Sequence, residues 1–566
     1  MTHRKPEFLN DPETLPKAEK DLIAACVRGK PCILGSKRPE PDDTTAPTIR
    51  AQLIRFLALG GDDDHPVDPF GVALRGARVE GKLSLAFCQN LRPLILSRCE
   101  VREPVTLVDA GLPRLDLSGS CLSGKGEDGD SLFADGVQVS GPVFLRDGFE
   151  AHGTVRLSGA ELGGELSCIG GTFRASDVAL NADGLKAQGG VFLRAGFEAH
   201  GTVRLLGAEL GGNLSCDGGT FRASDVALHA DGLKTRGGMF LRAGFEAHGT
   251  VRLLGAELGG DLACIGGTFR AAGEALLLKR AQVDGGFFFQ SQLERPKGTV
   301  DLTAAEVGTL VDDAESWPAP GKLVLDGFTY KRFAGDAPTN AAMRMTWLER
   351  QSESDLTVDF RPQPFEQVAK VLREMGHAED ARRILIRKAQ KERRADLLQA
   401  RARLGPWFES VRGLSTSAWA WAGMYLRWVR SGLFGIVSGY GYRPMNSLLW
   451  AALFMAFGFL TFDAAKTARE MVPNNPFLLK QEWKVARKDK RDPYAAFAEA
   501  VPDFQPFSPV IYAVDTFVPL VNLHQEPHWI PRGGTWARLY LNIHIAMGWL
   551  ITTLFVASLT GIVKKD

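Results

Sequence analysis

No two cysteines in this sequence form a CxxC pair, and none lies beyond Cys264. That arrangement excludes the common zinc-finger and thioredoxin-like frameworks, and the cysteine-bearing half reads as intracellular and reduced. A CxxCH haem attachment sequence is missing as well. Net charge is almost absent, with 67 Lys and Arg against 66 Asp and Glu. A chain without a basic excess has no global electrostatic case for nucleic acid. The opening stretch MTHRKPEFLNDPETLPKAEKD has no apolar run, so no secretory signal peptide is expected.

Glycine, by contrast, is abundant at 62 residues and concentrates in the first half. There the stretch VFLRAGFEAHGTVRLLGAEL, from Val191 to Leu210, recurs with few changes from Val143 and from Met239. His152, His200 and His248 are 48 residues apart, as are Cys168, Cys216 and Cys264, and Phe173, Phe221 and Phe269. A fixed period of this fidelity marks stacked repeats. Inside it runs a shorter beat of 10 to 12 residues: KLSLAF, PLILSR, PVTLVD and RLDLSG place Leu83, Leu94, Val105 and Leu115 in sequence. Short apolar alternation broken by Gly, Pro or Asn predicts strands and turns, too closely spaced for helices between them.

The predicted fold is therefore a β-solenoid, or parallel β-helix, over residues 66–335. Each coil is expected to hold two strand-and-turn units in about 20–24 residues, giving on the order of eleven coils and a rod near 50 Å. Leu145, Val155, Leu157, Leu162 and Leu166 should point inward with the cysteines, and Arg156 and Glu161 outward. A catalytic centre is needed once, whereas a solenoid rung is rewritten at every turn. The repeated polar residues thus read as outer ladders, and no catalytic, cofactor-binding or metal-ligating residue is assigned. As a candidate partner-binding stripe they are Glu150, His152, Arg156, Glu198, His200, Arg204, Glu246, His248 and Arg252. Helices within residues 1–65 should cap the exposed strand edges. GGDDDHPVDPFG, with Asp62, Asp63, Asp64 and His65, reads as a polar turn rather than a metal loop.

After GKLVLDGFTY the period changes to 3.6, through Phe365, Val368, Val371 and Leu372, and Gly376 separates a second, basic helix from about Glu379. Residues 340–412 form this helical connector, and 413–443, rich in Trp and Tyr, an interfacial segment. Two uncharged runs follow, Met445 to Phe462 and Leu539 to Val563. They predict spans at about 445–463 and 539–563 within a membrane domain over 444–566. Arg427, Arg430, Arg443 and the terminal lysines place both termini and the solenoid in the cytoplasm. Between the spans, residues 508–523 suit a re-entrant helix. Asp515, Asn522 and His524 are its candidate pore or interface residues. Span, short helix, span is the order of two-helix pore domains, but TFVPLVN stands where a potassium filter has TVGYG.

GGDDDHPVDPFGVALRGARVEGKLSL, GKLVLDGFTYKRF, FRPQPFEQVAKVLREMGHAEDARRILI, GYGYRP and GWLITTLFVASLTGIV together resemble a bacterial family of pentapeptide-repeat-like membrane proteins, often labelled membrane-associated oxidoreductases. The resemblance runs from about residue 50 to the end. It implies an inner-membrane location and, by label, redox chemistry. The residues offer little for that chemistry. Gly124, Gly126 and Gly129 of GKGEDG spell a dinucleotide fingerprint, yet DSLFADG follows where the anion-binding helix should start. GSCLSGKG ends its P-loop likeness at Gly126, and His544 has no paired His for haem. The expected protein is a membrane-anchored scaffold or sensor, with a lipid bilayer and a protein as partners and no cofactor. A gated pore of several copies is the alternative, and an oxidoreductase the third.

Overall fold

The computed structural model describes residues 5–404, 435–440, 442–474, 480–488 and 492–560. Two compact units divide the chain, residues 1–384 and 385–566.

The first unit is a parallel β-solenoid. Its strands stack only onto equivalent strands of the next coil, and one complete ladder, from Leu83–Ser84 to Leu323–Val324, holds eleven of them. Each coil has four sides, not the two strand-and-turn units expected from the 10-to-12-residue beat. One coil runs through Val143–Phe144, Glu150–Ala151, Thr154–Arg156 and Glu161–Leu162 before Leu166 stacks on Val143. The sides are two to four residues long, too short for alternation to separate them in the sequence. Corners are set by left-handed residues such as Gly159 (φ 64°) and Gly170 (φ 65°), a backbone region glycine enters without a Cβ penalty. Val143, Leu166, Val191 and Leu214 occupy one ladder, so successive coils take 23, 25 and 23 residues. Two coils make the 48-residue repeat.

Inside, Leu145, Val155, Leu157, Leu162, Leu166 and the three repeated cysteines are buried, as the alternation requires. The core also holds a column of phenylalanines over six successive coils: Phe149, Phe173, Phe197, Phe221, Phe245 and Phe269, with ring centroids 5.3–5.7 Å apart. Such spacing lies in the favourable range for aromatic pairs. The column ends on Phe289, Trp317 and Trp347, the last on the helix Ala341–Leu348.

Both rod ends are covered. At the start, Lys17–Val27 and Ala51–Ala58 form helices, but Cys32–Ile33 and Thr48–Arg50 already pair with Leu74–Arg75 and Arg78–Glu80. The coil therefore begins inside the segment expected to be only a cap. At the other end, the helix Gln363–Glu374 buries Phe365, Val368, Val371 and Leu372. Its glutamines satisfy the last strand edge: Gln363 and Gln367 donate to the carbonyls of Phe328 and Tyr330 at 3.1 and 2.6 Å. Unpaired backbone there would otherwise be a template for another chain. Gly376 (φ 88°) then turns the chain into the long helix Ala378–Leu404.

In the second unit, Met445–Thr467 and Trp536–Leu559 are long and apolar enough to cross a membrane. They extend about 35 Å each. The intervening segment is not an open loop. Met471–Pro473 pairs antiparallel with Trp529–Pro531, and Lys480–Ala486 and Pro493–Ala500 close around Trp483, Tyr494, Phe497 and Trp529. The helix expected over 508–523 is shorter, Pro509–Phe517, with Ser508 accepting from the Ile511 amide as its N-cap. Most of the segment expected at the interface, 413–443, lies outside the described residues.

Candidate faces of the solenoid and the apolar helices

The nine residues expected to form one stripe fall on two sides of the rod. Glu150, Glu198 and Glu246 lie on the side whose inward residues are the alternating Ala and Phe of Ala151, Phe173 and Ala199. His152, His200 and His248 follow two residues later, with Nε2 3.3, 3.2 and 2.8 Å from the glutamate oxygens. Arg156, Arg204 and Arg252 belong to the next side, where they pair with Asp135, Asp183 and Asp231. A corner separates Ala151 from Thr154, so the repeat could not place Glu and Arg together by spacing alone.

The cations that do meet the glutamates went unnoticed in the sequence. Arg174 bonds Glu150, Arg222 bonds Glu198 at 2.5 Å, and Arg270 bonds Glu246 at 2.7 Å and Glu294 at 2.9 Å. Acid and base thus alternate coil by coil, Glu in GFE and Arg in TFR, with a 24-residue spacing that the 48-residue repeat masks. The ladders set Glu150 and Glu198 against Thr172, so threonine separates the glutamates and each arginine reaches its glutamate diagonally from two residues along the next strand.

These pairs make the face sensitive to acid. The Arg222 hydrogen bond holds the Glu198 carboxyl below its ordinary 4.5. For Glu246, burial pushes upward, and the Arg270 hydrogen bond and charge outweigh it to give a net lowering. A depressed carboxyl contributes stability that is present above the unfolded value and lost as pH falls through the folded one. Thermal stability of the rod should therefore hold from neutrality to about pH 4.5 and decline below it, and Glu198→Gln with Glu246→Gln should flatten that decline. A melting curve at each pH reads the result. An identical decline in the variant would show that other carboxylates dominate.

Cys121, Glu150 and His152 bring three potential ligand atoms within 4.8 Å, the one such group among the described residues. Glu150 is held there by Arg38 at 3.1 Å and by Arg174, which supply the positive charge a cation would bring. Burial pushes the Cys121 thiol up to about 11, away from the thiolate a metal needs. The group reads as part of the ladder. Asp62 accepts from the amide and ring of His65 at 2.8 and 2.9 Å, closing a turn rather than opening a metal loop. The glycines of GKGEDG form a corner leading into the strand Asp130–Phe133, with no helix behind it.

In the second unit the helix Pro509–Phe517 packs against both apolar helices, which also pack on each other. The His544 ring nitrogen Nε2 bonds the Ala513 carbonyl at 2.9 Å, and the Phe517 carbonyl sits against Gly548. Equal steps on both chains mean the short helix runs parallel to Trp536–Leu559. Gly548 is the thirteenth of the latter's 24 residues, so the short helix stops about halfway along it. A Cβ at Gly548 would stand 1.9 Å from the Phe517 oxygen, and one at Gly458 2.6 Å from His544. These two glycines are what allow three helices to pack this closely.

The chain then turns back. Asp515 is buried and accepts from the amides of Leu523, Gln525 and Glu526 at 2.5, 2.8 and 2.7 Å. Its carboxylate fastens the returning segment. Asn522 and His524 are exposed on it, Asn522 accepting from the His524 amide at 2.9 Å. Asp515→Ala leaves three amides without their acceptor and should cost about 1–3 kcal/mol per group that stays buried. A fall in the melting temperature of detergent-solubilised protein, with the solenoid transition unchanged, would register it. No family model matches this chain, and comparison with curated proteins and with solved structures finds no match.

Proposed function

We propose that the protein is a non-enzymatic, membrane-anchored scaffold or sensor, with the solenoid and both termini in the cytoplasm and a partner protein on the Glu–His–Arg side. One observation carries this reading: a polar pattern rewritten at every second coil, on an end-capped rod, in the same chain as two helices of spanning length. Repetition suits a long contact more than a single reaction centre. The histidines are the part of the pattern not needed to pair the glutamates, because Arg174, Arg222 and Arg270 already do so. Substituting His152, His200 and His248 together by alanine should therefore release a partner co-purified from detergent while the rod stays folded. A partner retained by that variant, and by Glu198→Gln, and lost only on unfolding would defeat the proposal.

A second reading is an ion pore built from several copies. It is favoured by the half-depth helix and its return segment, which put exposed Leu520, Asn522 and His524 near the middle of the apolar helices. Because Asp515 serves the fold, His524→Ala is the informative substitution. Reconstituted vesicles should pass ions with altered selectivity in the variant; impermeable vesicles in every condition would end this reading. The resemblance to proteins labelled oxidoreductases supports a third, which an optical spectrum of the purified protein decides: a flavin, haem or nicotinamide band would support it.

A further inference from the structure

We infer that a second copy of this chain docks, antiparallel, on the side of the solenoid formed by Glu161–Leu162 and its stacked equivalents. This surface differs from the one proposed above for a partner and does not depend on that proposal. Its outward residues alternate in sign from coil to coil: Glu161, Lys186, Glu209, Lys234 and Glu257, with neutral Gln138 before and Gln282 after. All are exposed, and only Lys234 and Glu257 meet as an ion pair among them, at 3.1 Å.

Two residues along each strand runs a second row, in which glycine alternates with longer side chains: Gly163, Gln188, Gly211, Arg236, Gly259, Asp284. Those glycines are required by the coil, since a Cβ at Gly211 would stand 2.2 Å from the Gln188 carbonyl. Their effect on the surface is a series of notches. Lys186, Arg236, Glu257 and their neighbours line the resulting groove of about 690 Å³.

The pattern is complementary to itself. Consider a two-fold axis lying between two such faces, along the strand direction, at the midpoint of the Glu209 and Lys234 rungs. It reverses the coil order and keeps each row opposite its own kind. Glu209 then faces the partner's Lys234, and Lys186 faces the partner's Glu257. In the second row the same axis sets Arg236 over the partner's Gly211 and Gln188 over the partner's Gly259. Charge and shape thus select an axis midway between two oppositely charged rungs; the neighbouring midpoint of the Lys186 and Glu209 rungs pairs Glu161 with the partner's Lys234 in the same way. An axis through a rung would oppose like charges, which costs affinity, so the alternation also rejects neighbouring registers. The contact is isologous, as closed dimers require.

Light scattering on full-length protein in detergent tests this. Wild type should have the mass of two chains at low salt and dissociate as salt rises, because the pairs are exposed. Lys234→Glu with Arg236→Glu should give one chain, whereas Ser176→Glu with Ser224→Glu, on another part of the rod, should leave two. A chain with Lys186→Glu, Glu209→Lys, Lys234→Glu and Glu257→Lys should pair with itself and not with wild type, because the one-coil shift that would pair their charges sets Arg236 against the partner's Gln188 and glycine against glycine. A monomeric wild type, a dimer surviving the first variant, or free mixing of inverted and wild-type chains would each overturn the inference.

Discussion

Arg344→Ala should destabilise the C-terminal end of the solenoid by about 3–5 kcal/mol, the loss expected when one partner of a buried ion pair is removed. Arg344 and Asp312 are each 2 % exposed and meet through two bonds of 2.8 Å. The same guanidinium donates to the Pro338 carbonyl and lies 3.7 Å over the Phe333 ring. Asp312 in turn accepts from the Trp317 indole at 2.8 Å, which ties the pair to the foot of the aromatic column. Alanine at 344 would leave a carboxylate buried with only the indole to satisfy it. The double variant Asp312→Leu, Arg344→Met should recover most of the loss, since no charge is then stranded. Denaturant titration with hydrogen exchange over residues 287–348 measures both. A cost below about 1 kcal/mol for Arg344→Ala would mean that water reaches the site and the pair is not a buried one.

Phe221→Ala should cost a similar amount, about 3–5 kcal/mol. Its ring is fully buried between Phe197 and Phe245, both with centroids at 5.3 Å, so truncation removes two ring contacts and opens a cavity in mid-column. In a stacked-repeat protein each coil is stabilised by its neighbours alone. The damage should therefore be local: exchange protection should fall first between residues 197 and 245, while the capped ends keep theirs. Phe221→Leu, which fills more of the space, should cost less. Uniform loss of protection along the rod would show that the column acts as one cooperative unit.

Apolar periodicity determined which side chains face inward. Leu145, Val155 and Leu157 are buried because alternation over even three residues decides a face. The count of coils followed from length and beat. The number of sides per coil did not follow, because four strands of two to four residues and two longer ones produce the same beat. The half-period was hidden for a related reason: GFE and TFR share only their phenylalanine, so coils equivalent in the core look different on the surface.

The second unit divides in the same way. Two helices long and apolar enough to cross a membrane were legible as uncharged runs, and the short helix between them as a run too short to cross. The role of Asp515 was not legible. A lone carboxylate between apolar residues suggests a polar path, and only the return of residues 523–526 brings three amides to it. Composition and period by themselves determined a repeating β-rod joined to apolar helices, since burial follows directly from where apolar residues recur. Tertiary structure alone decided which charges meet, because ion pairs here join residues some 24 apart across coils, and that distance depends on the number of corners between them.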